Sequence, residues 1–76
     1  MPEITFDSFD ALAIDTRYEI VVKTFGREGV LKLSMVDERG VVTEQYVWEW
    51  TAADGGLGKI DLFFVDGILE DKSYKG

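Results

Sequence analysis

The sequence has no cysteine and no histidine, and only one proline. Without cysteine there is no disulfide and no thiolate metal site. Without histidine the commonest general base and the commonest metal ligand are both gone. Ser8, Ser34 and Ser73 therefore have no imidazole to activate them as nucleophiles. No stretch is long or apolar enough to suggest a membrane-spanning helix. The opening MPEITF lacks the basic and apolar regions of a signal peptide. The expectation is a cytoplasmic protein if Met1 is the native start, or a processed one if a leader was removed.

Positive charge is also scarce. Eight Lys and Arg face fifteen Asp and Glu, for a formal net charge of −7. The acidic residues run from Glu3 to Asp71 without a block. Nucleic-acid binding needs clustered cations against phosphate, so it is not expected. A charge of this sign bears on solubility and association rather than on fold. What the chain does have is apolar material: 46% hydrophobic and 13% aromatic residues in 76 positions. That supports one small domain, residues 1–76, with a real core.

Hydrophobic spacing gives the elements. Phe6, Phe9 and Leu12 recur at helical intervals, with Asp7 or Ser8 able to cap a short helix. Ile14, Tyr18, Val21, Val22 and Phe25 form one helical stripe, predicting a helix over about 16–25. Asp15 or Thr16 is the expected N-cap, Thr16 with Glu19 fits a capping box, and Gly26 suits a left-handed C-cap. After Gly29 the period becomes two. Leu31, Leu33 and Met35 alternate with Lys32 and Ser34, DERG turns the chain, and Val41–Trp50 resumes β character. TAADGGLG reads as a loop, Lys59–Val65 as a third strand, Asp66-Gly67 as a tight turn and Ile68–Lys75 as a fourth strand. The fold class is α+β: one or two N-terminal helices packed on one face of a four-stranded antiparallel meander.

Two registers follow from the turns. A two-residue Asp66-Gly67 loop pairs Phe64 with Leu69, Phe63 with Glu70 and Asp61 with Lys72. Ile60, Leu62, Phe64 and Leu69 then face the helices, while Asp61, Phe63, Lys72 and Tyr74 share the open face. A three-residue Glu38-Arg39-Gly40 loop closes on Asp37 and Val41 and sets Leu31 opposite Val47, with Tyr46 beside Lys32. This places Tyr46, Trp48 and Trp50 on the open face. Hydrophobicity alone would bury them instead, and a slip of one residue reverses the outcome. The expected protein-binding residues are Tyr46, Trp48, Trp50, Phe63, Tyr74, Lys32, Asp61 and Lys72.

The order of these segments resembles the small domain of β-lactamase-inhibitor-like proteins and related bacterial envelope lipoproteins. FDALAIDTRYEIVVKTFGREG is similar to that family's opening, and YVWEWTAADGGLGKIDLFFVDGILEDKSYKG to its strands. The likeness runs from about Phe6 to Gly76. It rests on Tyr46 with Trp48, Gly55 to Gly58, Phe64 with Asp66-Gly67, then Lys72, Ser73 and Gly76. Asp15-Thr16-Arg17 stands where the family often has Gly-Met-Thr, and the Cys pair of the tandem-domain inhibitors is missing. The resemblance implies two helices on one side of the sheet and a protein-binding face on the other, with Phe63 and Trp48 on that face. It also implies an extracytoplasmic place.

Chemistry beyond binding finds no constellation. Neighbouring carboxylates such as Glu70-Asp71 point to opposite sides of a strand. ADGGLG opens no helix and carries no Lys-Ser/Thr, so it is not a phosphate loop. DERG is too poor in oxygen ligands for an EF-hand-type calcium loop, and the Asp54 loop is at best a weak cation site. No catalytic residue, metal or cofactor is expected. Two functions remain: a module that binds a protein of unidentified kind through the aromatic side of its sheet, or an assembly domain that buries that side in a homodimer.

Overall fold

The structure is a computed structural model that describes residues 6–50 and 58–75. The Gly-rich loop and Asp54 lie outside these residues, as does the start of the chain. Two short helices, α1 (Phe6–Asp10) and α2 (Tyr18–Phe25), precede four strands: β1 (Val30–Val36), β2 (Val42–Trp50), β3 (Gly58–Val65) and β4 (Ile68–Lys75). The strands form one antiparallel sheet in the order β1-β2-β3-β4. The α+β architecture expected from the periodicities is therefore present.

Helix α2 is too short to hold itself together in water and depends on its packed stripe. Val21 and Phe25 are buried, Tyr18 and Val22 pack against the core, and Ile14 is exposed. Gly26 terminates the helix at φ 77°, its N–H donating to the Val22 carbonyl over 2.8 Å. The expected capping box does not form. Arg17 occupies the N-cap position and makes no side-chain cap bond. Thr16 is committed elsewhere: its carbonyl accepts from the Leu69 N–H, and its hydroxyl donates to the Ala13 carbonyl. The linker thus pairs with the start of β4. The Asp15 N–H donates to the Leu69 carbonyl, and the Tyr18 N–H to the Gly67 carbonyl.

The central strands are in unbroken register, with Tyr46 opposite Leu62, Trp48 opposite Ile60 and Glu44 opposite Phe64. Paired residues share a face. Ile60, Leu62 and Phe64 face the helices as expected, so Tyr46 and Trp48 face them too. The core comprises Phe9, Leu12, Val21, Phe25, Trp48, Ile60, Leu62, Phe64 and Leu69. Its centre is aromatic: Trp48 meets Phe25 edge-on at 5.4 Å, and Tyr18 meets Phe64 edge-on at 5.3 Å. The chain entering β1 crosses directly over the indole. A Cβ on Gly29 would lie 2.8 Å from the Trp48 ring, so the close approach requires glycine.

Candidate interaction surface

The structure disperses the aromatic patch expected on the open face. Trp48 lies beneath the helices, 1% exposed, its indole N–H donating to the Arg27 carbonyl over 3.0 Å. Tyr46 is half-buried on the same side, its ring 4.5 Å from Tyr18 and its hydroxyl 3.3 Å from a Glu44 carboxylate oxygen. Burial pushes the Tyr46 phenol above its ordinary value, and the Glu44 charge adds to that; burial and then Glu28 raise Tyr18. Tyr46 and Trp48 pair with Leu62 and Ile60, so the opposite row, Val47, Gln45 and Thr43 with Leu33 and Met35 of β1, is the one that faces away from the helices. The Glu38-Arg39-Gly40 loop itself is as expected. Gly40 has φ 83°, and the Asp37 N–H donates to the Val41 carbonyl over 3.0 Å. Pairing then runs regularly from Val36–Val42 to Leu33–Gln45. A bulge at Lys32 intervenes, and Leu31 falls opposite Tyr46 rather than Val47.

A second bulge corrects the last hairpin. Phe64–Leu69 and Val65–Ile68 pair as expected, with Asp66 and Gly67 both at positive φ. Glu70 is then left over. Phe63 faces Asp71, Leu62 faces Lys72, Asp61 faces Ser73 and Ile60 faces Tyr74. One inserted residue moves everything beyond it to the opposite face. Lys72 and Tyr74 therefore lie on the helix side, not the open side. Tyr74 packs on Phe9 at 5.6 Å. The Lys72 ammonium donates to the carbonyls of Phe9, Asp10 and Leu12 at 2.9, 3.0 and 2.9 Å and sits 4.9 Å over the Phe9 ring. It closes the C-terminal end of α1, where a cation opposes the exposed carbonyl dipoles. Its expected pairing with Asp61 is absent; Asp61 instead accepts from the Gln45 side-chain amide over 3.1 Å.

Of the expected binding residues, Phe63 and Asp61 do lie on the side away from the helices, both half-buried. Lys32 is exposed at the β1 bulge. It also lines a cleft of about 310 Å³ together with Arg27, Glu28, Val30 and Val47. The Trp50 side chain lies outside the described set.

The surface that stands out in three dimensions is β1, apart from the expected aromatic face. Every residue of β1 is exposed, and five of its seven are apolar. Val30, Leu33 and Met35 line one face and Leu31 and Val36 the other, by their partners in β2. Val36 is 66% exposed and Val30 59%. The backbone edge is open as well. Asp37 turns its N–H and carbonyl toward β2, the carbonyl accepting from Gly40. Alternation of an antiparallel ladder then aims Met35 and Leu33 inward and Val36 and Ser34 outward. The opposite edge is treated differently. β4 carries Glu70, Asp71, Lys72 and Lys75, is bulged, and is paired at Leu69 by the linker before α2. Charges, bulges and covering segments are the usual means of blunting an edge strand. β1 has a bulge and one lysine.

Among the described residues no group of three His, Cys, Asp or Glu is placed to hold a metal ion, and no helix is long and apolar enough to cross a membrane. No protein family, curated protein or solved structure matches the chain.

Proposed function

We propose that the chain is a non-catalytic protein-interaction module that recognises an extended segment by adding it to the edge of β1. The carrying observation is an edge strand whose seven residues are all exposed, five of them apolar, and whose alternation from the inward-facing Asp37 leaves the Ser34 and Val36 backbone groups turned outward. Main-chain bonds to the edge supply affinity, and side chains alternating on the two faces supply selectivity. The likeness to β-lactamase-inhibitor-like domains and envelope lipoproteins supports the same class of role at an extracytoplasmic site. Its inhibitor form requires Trp48 and Phe63 on one face. They lie on opposite faces, so what carries over is protein binding alone.

The test uses arrayed extended peptides and the Ser34→Pro variant. Proline at position 34 removes a donor that faces away from β2, so the sheet's own ladder is kept. Peptides that bind the unaltered chain should be apolar and extended. They should slow amide exchange at Ser34 and Val36, and lose binding to Ser34→Pro and to the charged-edge variant Val36→Lys. Peptides that bind both variants unchanged, or protect amides elsewhere, refute the reading.

A further inference from the structure

Resting on that reading, we infer that the segment β1 accepts is β1 of a second copy, joined antiparallel about Ser34 into one continuous eight-stranded sheet. The occupant must be an extended strand, since the edge offers backbone groups in a row. β1 is such a strand, and it is self-complementary in three respects. Ser34 faces outward, so two copies can exchange both N–H···O bonds there as a hydrogen-bonded pair. In that register Leu33 of each copy lies opposite Met35 of the other. Both belong to the face away from the helices, where they are 41% and 55% exposed in the monomer. Lys32, the strand's one charge, stands at the bulge two residues from Ser34 and so comes near the Asp37-Glu38-Arg39 turn of the second copy. The contact is isologous, so Ser34 pairs with its own copy on the axis while the Leu33–Met35 and Lys32–turn contacts each occur twice.

Local complementarity matters because each copy carries a net charge of −7. Two such chains repel at a distance, and association needs a contact whose own charges are of opposite sign. The arrangement supplies this with Asp37 and Glu38 at one end of β1, in a turn that also carries Arg39, and Lys32 towards the other. A bare edge-to-edge contact is smaller than a standard stable interface, so dissociation in the roughly micromolar range is expected.

The experiment is sedimentation equilibrium on the whole chain over a wide concentration range, with amide exchange by NMR. The unaltered chain is expected to dimerise, with exchange at Ser34 and Val36 slowing as concentration rises. Glu38→Lys sets two lysines together in each symmetric pair and should weaken dimerisation roughly two- to thirtyfold. Lys32→Glu should weaken it similarly, and the double variant Lys32→Glu, Glu38→Lys should restore it. Both positions are exposed, so at concentrations where the chain is monomeric both variants should keep its unfolding midpoint. A chain that stays monomeric to roughly millimolar concentration overturns the dimer. If it still binds peptides along β1, the interaction-module reading stands without the dimer; if it binds none there, both fall. A dimer insensitive to the charge exchange, or one that protects amides away from β1, also overturns it.

Discussion

Lys72→Met tests the bulge at Glu70 by its energetic consequence. The methionine keeps an apolar stem against Phe9 and removes the ammonium that binds the Phe9, Asp10 and Leu12 carbonyls. A hydrogen bond to a charged group contributes about 1.5–3 kcal/mol when well buried. The Lys72 side chain is half-buried and one of its three bonds is exposed, so solvent screening lowers this. The expected loss is about 1–2 kcal/mol, from a total of roughly 4–11 kcal/mol for a domain of this size. At roughly 4–8 °C per kcal/mol, thermal unfolding should begin well below that of the parent. The effect should be local as well as global: amides of α1 and of Ala11 and Leu12 should exchange faster while those of β3 keep their order. The decisive assay is a double-mutant cycle with Asp61→Asn. The bulge places Asp61 opposite Ser73 and Lys72 opposite Leu62, on opposite faces of the sheet. The two substitutions should therefore add, with a coupling near zero. A coupling of about 0.5 kcal/mol or more, or a Lys72→Met loss of under about 0.3 kcal/mol, would refute both the bulge and the helix-capping role.

The two adjacent phenylalanines of β3 should behave very differently. Phe64→Ala removes a fully buried ring and should cost about 3–5 kcal/mol in a urea titration, enough to unfold much of the population; Phe63→Ala, half-buried on the other face, should cost clearly less, and equal losses would mean that both faces are covered. Tyr18 and Tyr46 have phenols raised above the ordinary value of about 10, chiefly by burial, so the folded chain holds them neutral. Their contribution to stability is fully present below the unfolded-state value and is lost as pH rises through the folded-state one. Ultraviolet titration should show Tyr18 and Tyr46 ionising later in the folded chain than in the urea-unfolded one, and unfolding free energy should fall in the same alkaline window; ionisation of both at the unfolded-state value with no loss of stability would contradict the packing.

The elements were legible because each is announced by local chemistry. The shift of period after Gly29, the left-handed Gly26, the Asp37-to-Val41 loop and the Asp66-Gly67 turn all act over a few residues, and each sits where expected. The faces were not legible, because side-chain direction accumulates along a strand. A regular ladder extended from either turn is right only up to the first bulge. In β4 that point comes two pairs from the turn, and the swing carries Lys72 and Tyr74 across the sheet. The capping box failed for a related reason. Thr16 has the right neighbour at Glu19, but its backbone is held by Leu69, and a tertiary ladder bond outranks a local side-chain preference. The β2–β3 register decides the aromatic strand: Tyr46 and Trp48 pair with Leu62 and Ile60, whose burial the sequence indicates, and so share their face.

The bulge at Lys32 also explains why β1 looks like a core strand and is not one. Leu31 and Leu33 are two residues apart, which in a regular strand would put them on one face, here the one away from the helices. The extra residue separates them, so Leu31 follows Tyr46 to the helix side and Leu33 follows Gln45 to the other. Neither side then collects enough of β1 to close over it. The core is completed by β2, β3, β4 and the helices without contribution from β1, whose five apolar side chains stay at least 41% exposed. Isolated exposed apolar residues are ordinary on a protein surface, but a contiguous row along an open backbone edge is an association hazard. The same chain blunts its β4 edge with charges and a paired linker. The asymmetry between the two edges is the strongest physical ground for assigning β1 to intermolecular pairing.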